Sequence, residues 1–236
     1  IEAAASVKGV PYHPGAAKYF EEKGFKVDAV KEGAGNGTAS ALSFGTGGES
    51  GTYYAFGGVL ASFVSGKSNC KVTALTSGGS QANVEDLTNG NVQLAFVQSD
   101  VMNYAYNGQR LFDSPVTGFS VVAQLYQEQV QIVTTNPDIK TVADLAGKKV
   151  SIGAAGSGVY FNAIDVLSAY DLKESDISAV YQSFGDSAES LKDGKIDAAF
   201  IVAGAPTTAI TDLATAGSVY LVSLDDSHVQ SLLAAS

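Results

Sequence analysis

A chain of 236 residues is long enough for one large domain or for two lobes of about 100 residues each. Its 45% apolar and 16% charged residues exclude a disordered chain, and its 26 Gly, 11 Tyr and 11 Phe do not fit collagen or a coiled coil. The 14 basic and 24 acidic residues give a net charge of −10. This charge repels phosphate backbones and anionic lipid headgroups, so we expect no nucleic-acid partner and no membrane-surface role.

Cysteine and histidine content predicts neither a disulfide nor a metal centre. The single cysteine, Cys70, has no intramolecular partner, and no Cys/His cluster has the spacing of zinc ligands. No run of 18 apolar residues is present, and residues 1–10 lack the regions of a signal peptide. We therefore expect a soluble chain without cofactors, whose compartment the cysteine count leaves open.

The first 41 residues predict one helix and one connector. Residues 11–26 contain an amphipathic helical pattern, which Pro14 can open and Gly24 can end. Residues 28–41 are Gly-rich and poor in apolar side chains, as is typical of a linker.

From Leu42 onward, short apolar runs alternate with helical stretches, which favours an α/β fold with a parallel sheet. The first half predicts strands at 42–45, 71–76 and 92–97 and helices at 50–64, 80–88 and 100–106. An extended segment at 119–135 breaks the alternation. The second half predicts strands at 149–153, 179–182, 198–202 and 220–223 and helices at 142–145, 158–170, 186–192 and 207–216.

An internal repeat relates the two halves. Ser50, Gly51, Tyr53, Val59 and Leu60 recur 107 positions later, and Leu87, Gly90, Ala95 and Phe96 recur 104 positions later. Both halves then follow the order strand, Gly/Ser loop, helix, strand, helix, strand. The repeat predicts two similar lobes that are joined by residues 119–135 and enclose a cleft.

Loops beyond the carboxyl ends of parallel strands are the expected ligand site. These are residues 46–54, 77–83, 98–100, 155–162 and 203–207, which combine Gly with hydroxyl or amide side chains. Several of them lead directly into helices, whose N-terminal N–H groups attract anions. The sequence therefore predicts a site for a small carboxylate or another small anion.

The side chains near these loops leave alternatives open. Arg110 is the only arginine, and we expect it at a helix end in solvent rather than on a ligand. Four tyrosines either line the site and supply phenolic hydrogen-bond donors or serve only in packing. They are Tyr53, Tyr54, Tyr126 and Tyr160. Glu128 either meets an ammonium group or is a solvated or hinge-capping residue.

Catalytic motifs are largely absent from the sequence. Residues 44–51 nearly match a dinucleotide fingerprint, but Ser50 replaces the third Gly, and neither a Walker A loop nor a nucleophile elbow occurs. A non-enzyme is expected. An enzyme on a two-lobe fold, acting on a small anion with Tyr or Asp as general acid, is the alternative. A cytoplasmic regulator would need a helix-turn-helix, which this acidic chain lacks.

Five ordered blocks resemble the TAXI family, the solute receptors of tripartite ATP-independent periplasmic (TRAP) transporters. The blocks are FGTGGESGTYYAFGGVL, TSGGSQANVEDLTNGNVQLAFVQSD, LYQEQVQIV, DLAGKKVSIGAAGSGVYFNA and GKIDAAFIVAGAP. The resemblance covers about residues 42–233 and implies the two-lobed type II periplasmic binding protein (Venus flytrap) fold. It implies an extracytoplasmic receptor that closes on glutamate, glutamine or a related dicarboxylate and delivers it to a TRAP-type membrane permease.

The resemblance also implies which residues line the cleft. They are Thr46, Gly48, Ser50, Thr52, Tyr53, Ser77, Ser80, Gln98, Ser99, Tyr126, Ser157 and Tyr160, with Ala203, Gly204 and Pro206 at its edge. Glu128 joins them as a candidate ligand contact, and no catalytic residue, metal or cofactor is expected.

The block order departs from the family. The segment HPGAAKYFEEKG resembles the motif that closes such receptors, yet it comes first here. The interpretation is a circularly permuted chain, and engineering as a sensor or split scaffold is the hypothesis for its origin. Residues 1–27 would then be a helix of lobe 1, 28–41 a linker, 42–118 lobe 1, 119–135 the crossover and 136–236 lobe 2. The usual return crossover is not recognised, so we expect it either on another chain or in a segment outside this sequence.

Overall fold

Two separate β-sheets organise the chain in a computed structural model, which describes residues 1–31 and 39–235. The first sheet is parallel, with strand order β2-β1-β3. Its strands are β1 (Ala41–Gly45), β2 (Lys71–Leu75) and β3 (Leu94–Ala95), and its helices are α2 (Thr52–Lys67), α3 (Ser80–Thr88) and α4 (Ser99–Asn107).

The second sheet has five strands in the order β6-β5-β7-β4-β8. Its strands are β4 (Gln129–Thr134), β5 (Lys149–Ser151), β6 (Ser178–Val180), β7 (Ala198–Ala203) and β8 (Tyr220–Leu221). Its helices are α5 (Val159–Ala169), α6 (Phe184–Lys192), α7 (Thr208–Ala216) and α8 (Asp226–Ala235). β4 runs antiparallel to both of its neighbours, so the sheet is mixed.

The predicted repeat is confirmed by the topology. The order β2-β1-β3 in the first sheet corresponds to β6-β5-β7 in the second. Helix α5 begins 107 positions after α2, and α6 begins 104 positions after α3, the two offsets found in the sequence. The molecule therefore consists of two related α/β lobes, and the loops that precede these helices occupy corresponding positions.

Each lobe is held by its own apolar core. In the second lobe Ile152, Leu167 and Phe200 are fully buried, and every residue of β7 is buried because its sheet is covered on both faces. In the first lobe Phe44 and Phe96 pack together. Burying one such side chain stabilises the fold by roughly 2–3 kcal/mol, so these cores fix the loops that project from the strand ends.

The N-terminal segment packs on the first lobe. Helix α1 (Pro14–Glu22) begins at Pro14, and the His13 ring accepts a hydrogen bond from the Gly15 N–H at 3.1 Å. Phe20 is buried in a cluster that contains Met102 and Val121. The predicted helix is confirmed, although it ends before Gly24, whose φ of +87° stops it.

Several predicted boundaries need correction. The strand expected at 92–97 has only two residues, and of the extended segment 119–135 only 129–134 forms a strand, because the structure gives the other residues no continuous ladder partner. The parallel arrangement is interrupted by β4, and α8 was not predicted. The interpretation of 28–41 as a linker falls largely on residues 32–38, which lie outside the described residues.

Helix α2 offers a matched glycine pair that tests its packing. A Cβ on Gly57 would lie 2.6 Å from Thr46 Cγ2 and 3.1 Å from the Phe96 ring, whereas a Cβ on Gly58 would meet nothing within 4 Å. We expect Gly57→Ala to lower the free energy of unfolding by about 1–3 kcal/mol through overpacking. Gly58→Ala should raise it by about 0.5–1 kcal/mol through helix propensity. Urea unfolding measures both, and equal effects would contradict this packing.

Candidate functional site

A cavity of about 330 Å³ lies between the two lobes. Both lobes contribute loops to its wall, and the segment between the lobes contributes Glu128. The lining consists of residues 47–53, 77–80, 98, 128, 154, 157–159, 183–186, 202 and 203. The cavity is therefore enclosed by loops of both lobes.

Five helices begin at this cavity. The residues that cap them at the N-terminus, Gly51 of α2, Gly79 of α3, Gln98 of α4, Gly158 of α5 and Ser183 of α6, all line it. The first N–H groups of a helix have no partner within the helix, and the macrodipole places about half a positive charge there. The wall thus attracts anionic groups although no Lys, Arg or His is among its described residues.

Glycine permits the close approach of the two lobes. A Cβ on Gly78 would lie 2.7 Å from the Ala155 carbonyl oxygen, and one on Gly158 would lie 2.1 Å from Gln98 Oε1. The Ala82 N–H donates a 3.0 Å hydrogen bond to the Gly156 carbonyl across this contact. Since a real Cβ atom cannot lie 2.7 Å from a backbone oxygen, glycine is required at position 78, whereas a side chain at position 158 would displace the Gln98 amide.

Polar side chains on one face of α5 also join the lobes. Asn162 accepts a hydrogen bond from Gln98 Nε2 at 2.7 Å and donates one to Asp100 Oδ2 at 2.8 Å. Burial raises the pKa of Asp100, and the hydrogen bonds from Val101 and Asn162 partly offset the increase.

Arg110 and Phe161 extend this contact away from the cavity. Arg110 is exposed shortly after α4 and does not line the cavity, as expected, and it also pairs with Asp165 at 2.5 Å and lies over the Tyr104 ring. Phe161 of α5 is 1% exposed and packs in a cluster with Val84 and Val101 of the first lobe.

Glu128 lies directly before β4 and faces the cavity. Its Oε2 accepts a hydrogen bond from the Tyr53 hydroxyl at 3.1 Å, and the Tyr53 ring stacks on Phe96 with centroids 4.9 Å apart. Burial raises the pKa of Glu128 to about 7, the Tyr53 hydrogen bond lowers it, and the charge of Asp100 raises it further. Burial also raises the pKa of Tyr53 and of Tyr126 well above the usual range.

One hydroxyl of the wall has no partner in the described part of the chain. Ser157 is 7% exposed and precedes α5, and its Oγ is buried without a hydrogen bond. An unsatisfied buried hydroxyl costs about 1–3 kcal/mol, so a ligand atom that satisfies it would gain affinity.

Most predicted site residues line the cavity, and their contact with a ligand stays a prediction. They are Gly48, Ser50, Thr52, Tyr53, Ser77, Ser80, Gln98, Glu128, Ser157 and Ala203.

The other predicted residues do not line it, which corrects the expected lining. Thr46 is fully buried and donates to the Leu75 carbonyl at 2.6 Å, so it holds the strand end. Tyr160 donates instead to Glu174 at 3.3 Å. Tyr126 packs its ring against Phe56.

The remaining three predicted site residues, Ser99, Gly204 and Pro206, lie outside the cavity lining. Ser99 is exposed at the start of α4. The Gly204 carbonyl accepts a hydrogen bond from Thr52 at 3.3 Å and one from Thr207 at 3.0 Å. Pro206 is exposed beyond it.

The loop at residues 183–186 was not predicted from the sequence. Ser183 caps α6 by accepting from the Asp186 N–H at 3.1 Å, and Phe184, Gly185 and Asp186 line the cavity. The repeat contains the signal that could have found this loop, because Gly79 plus the offset of 104 points to Ser183. Glu49 lies in the predicted loop 46–54 and lines the cavity, although it was not among the predicted ligand contacts.

Glu128 should make the stability of the ligand-free protein depend on pH. Its pKa rises from 4.5 in the unfolded chain to about 7 in the folded one, so the folded state binds more protons between these values. The free energy of unfolding should fall by up to about 3 kcal/mol from pH 4.5 to pH 7 and then stay level. Glu128→Gln should remove this decline and be the more stable protein at pH 8, as measured by urea unfolding.

The control for this measurement is Glu85→Gln, which alters an exposed acid of α3 and should keep the native pH profile. A native profile that is flat between pH 5 and 7 would contradict the raised pKa of Glu128.

Comparison with known proteins agrees with this architecture. The alkanesulfonate-binding protein SsuA from Xanthomonas axonopodis pv. citri bound to MOPS is 19% identical, with a TM-score of 0.55 over 79% of this chain and 61% of its own. An ancestral arginine-binding protein bound to arginine is 18% identical, with a TM-score of 0.55 over 79% of this chain and 80% of its own. A putative L-cystine ABC transporter from Listeria monocytogenes is 16% identical, with a TM-score of 0.52 over 84% of this chain and 90% of its own.

These likenesses show the fold, which is the two-lobed α/β fold of type II periplasmic binding proteins. This chain spans about three fifths of the length of SsuA. A sequence model described as the NMT1-like family matches residues 44–236. The match covers most of the chain, which therefore belongs to the NMT1-like family.

Proposed function

We propose that this protein is an extracytoplasmic solute receptor that captures a small carboxylate ligand, namely glutamate, glutamine or a related dicarboxylate. The observation that carries the proposal is the convergence of five helix N-termini on one cavity between two lobes. Solute capture also agrees with the family and with the structural neighbours. The described residues contain no helix with the length and apolarity that a membrane span requires.

Binding proceeds through closure of the lobes around the ligand. The loops before α2 and α3 belong to one lobe and those before α5 and α6 to the other, so a carboxylate between them contacts N–H groups from both. A ligand held by both lobes has a higher affinity for the closed arrangement, and it shifts the population toward it by that difference. We propose delivery of the closed, loaded receptor to a TRAP-type permease, as the TAXI resemblance implies.

The ligands of the structural neighbours fit this class of function. The alkanesulfonate-binding protein is bound to MOPS, and the ancestral arginine-binding protein is bound to arginine. A sulfonate and a carboxylate both present an anionic group to a binding wall. These ligands support a small charged solute for this chain, and the choice of carboxylate rests on the TAXI resemblance.

An enzyme remains the second candidate because of one observation. Tyr53 and Glu128 form a partly buried titratable pair at the cavity wall, and their pKa values are both raised, which is typical of general acids. Turnover of a bound ligand, followed by product analysis, would favour the enzyme, whereas stoichiometric capture with recovery of intact ligand favours the receptor.

The receptor should be stabilised by its ligand. In a thermal-shift panel of the common amino acids and of four- to six-carbon dicarboxylates, we expect at least one compound to raise Tm. At 100 times Kd the gain in the free energy of unfolding is about 2.7 kcal/mol. No shift with any member would contradict the proposed function.

Ser157 provides the variant for this test. Ser157→Ala removes an unpaired hydroxyl, so the ligand-free protein should be as stable as the native one or more stable, while affinity for the panel's best ligand falls about 5- to 10-fold. Ser187→Ala is the matched control. Its buried Oγ bonds Ser151 Oγ at 2.8 Å outside the cavity, so it should lose stability and keep affinity.

We also propose the domain boundaries and the permuted order. Residues 42–118 and 136–236 form the lobes, 119–135 the crossover, and 1–27 a helical segment of lobe 1, which agrees with the packing of Phe20 on Met102. The second lobe has β4 beside β7, whereas β3 has a strand on one side only within the described residues. Exposed Phe56, Val59 and Phe63 lie on α2 of the same lobe.

A strand from another chain, seated beside β3, is the proposed completion of lobe 1. Native mass spectrometry of the purified, ligand-competent protein should then detect a second polypeptide bound to the 236-residue chain. A single chain that is folded and binds ligand alone would contradict this completion and leave the receptor function unaffected.

A further inference from the structure

We propose that the cavity selects a ligand that carries a cationic nitrogen together with its carboxylate, and that Glu128 is the residue that binds this nitrogen. The inference rests on the proposed function and narrows it, because it favours α-amino acids over dicarboxylates that lack an amine.

The charged side chains of the wall are all acidic. Three carboxyl side chains line the cavity, those of Glu49, Glu128 and Asp186, and no basic side chain is among its described residues. A dicarboxylate without an amine would add two negative charges to this enclosure. An α-amino acid supplies a carboxylate for the helix N-termini and a cation for the carboxyl side chains, so each end of the ligand meets the opposite charge.

The Glu128 carboxylate is held in place and is still able to accept further hydrogen bonds. Tyr53 fixes one oxygen of the carboxylate, and no other hydrogen bond to this side chain occurs among the described residues. Tyr53 is itself positioned by stacking on Phe96. The carboxylate therefore has a defined orientation at the cavity wall and keeps acceptor capacity for an ammonium group.

Acidic loops of the two lobes come together at the cavity. The Ser50 hydroxyl lies 2.9 Å from the position of a Cβ on Gly185, so the loops that carry Glu49 and Asp186 are in contact. A cationic ligand reduces the repulsion between these loops on closure, whereas an anionic ligand increases it.

The wall offers separate places for the two ends of the ligand. The Ser157 hydroxyl is buried, unpaired and located at the N-terminus of α5, which suits a carboxylate oxygen. Glu128 lies on the segment that connects the lobes rather than at a helix N-terminus. The wall thus offers a hydroxyl at a helix N-terminus to an anionic group and a carboxylate on another segment to a cationic group, which are the two charged groups of an α-amino acid.

The titration of Glu128 predicts whether ligand affinity rises or falls with pH for each class of ligand. Tyr53, Tyr126 and Asp100 are the titratable groups that interact with this carboxyl, whose pKa is about 7. A cationic nitrogen stabilises the ionised carboxylate, so binding near pH 7 releases a proton, and affinity rises with pH. A dicarboxylate stabilises the protonated form, so binding takes up a proton and affinity falls with pH.

The experiment is isothermal titration calorimetry with L-glutamate, L-glutamine, L-arginine and glutarate, the last being glutamate without its amine. We expect at least one amino acid to bind about 100-fold more tightly than glutarate. Its affinity should rise about tenfold from pH 6 to pH 8, in proportion to the ionised fraction of Glu128, with proton release shown in buffers of different ionisation enthalpy.

Glu128→Gln supplies the variant, and its Tm is measured first to establish that it folds. It should lose about 100-fold in amino-acid affinity together with the pH dependence, whereas the exposed Glu85→Gln variant should keep both. Glutarate binding as tightly as glutamate, with proton uptake, would overturn the cation inference and leave the receptor function standing. If nothing in the wider thermal-shift panel binds, the receptor function itself fails.

Discussion

The close contact of glycine loops from opposite lobes is the constraint on which the rest of the structure depends. Helix N-termini attract an anion only over the length of about one turn, so five of them act together only if their loops nearly touch. Gly78 and Gly158 permit this because a side chain at either position would overlap an atom of the other lobe. The electrostatic character of the cavity therefore follows from the absence of side chains at a few backbone positions.

The helix ends also explain why the wall tolerates carboxyl groups without any lysine or arginine among its described residues. Partial positive charges at the N-termini offset the charges of Glu49 and Asp186, which stay accessible to water. Glu128 is half-buried on the segment that connects the lobes, and desolvation raises its pKa. The same wall therefore holds one carboxyl group whose charge state depends on pH near neutrality and two that solvent helps to stabilise.

The sequence allowed the lobes, their order of elements and most of the lining to be predicted, because repeated Gly/Ser loops and apolar strands carry local signals. It did not reveal that Tyr160 would turn away from the cavity. Tyr160 corresponds to Tyr53 in the repeat, but its hydroxyl bonds Glu174, a partner that Tyr53 does not have. Nor did it reveal the antiparallel direction of β4, which depends on pairing with β7 about 70 residues later. The loop at Ser183 was missed because it lacks the paired glycines of its counterpart at Gly78 and Gly79.

Contacts between the lobes outside the cavity determine how much of the free energy of closure a ligand must supply. Phe161, Asn162 and Asp165 project from one face of α5 and engage the other lobe without touching the enclosed space. The ion pair of Asp165 with Arg110 is partly exposed and contributes at most about 1 kcal/mol, whereas burial of Phe161 contributes roughly 2–3 kcal/mol. The apolar insertion of Phe161 therefore stabilises the contact between the lobes more than the ion pair does. Because apparent affinity scales with the population of the binding-competent state, this face of α5 sets the affinity for every ligand alike, while the cavity wall sets the choice among them.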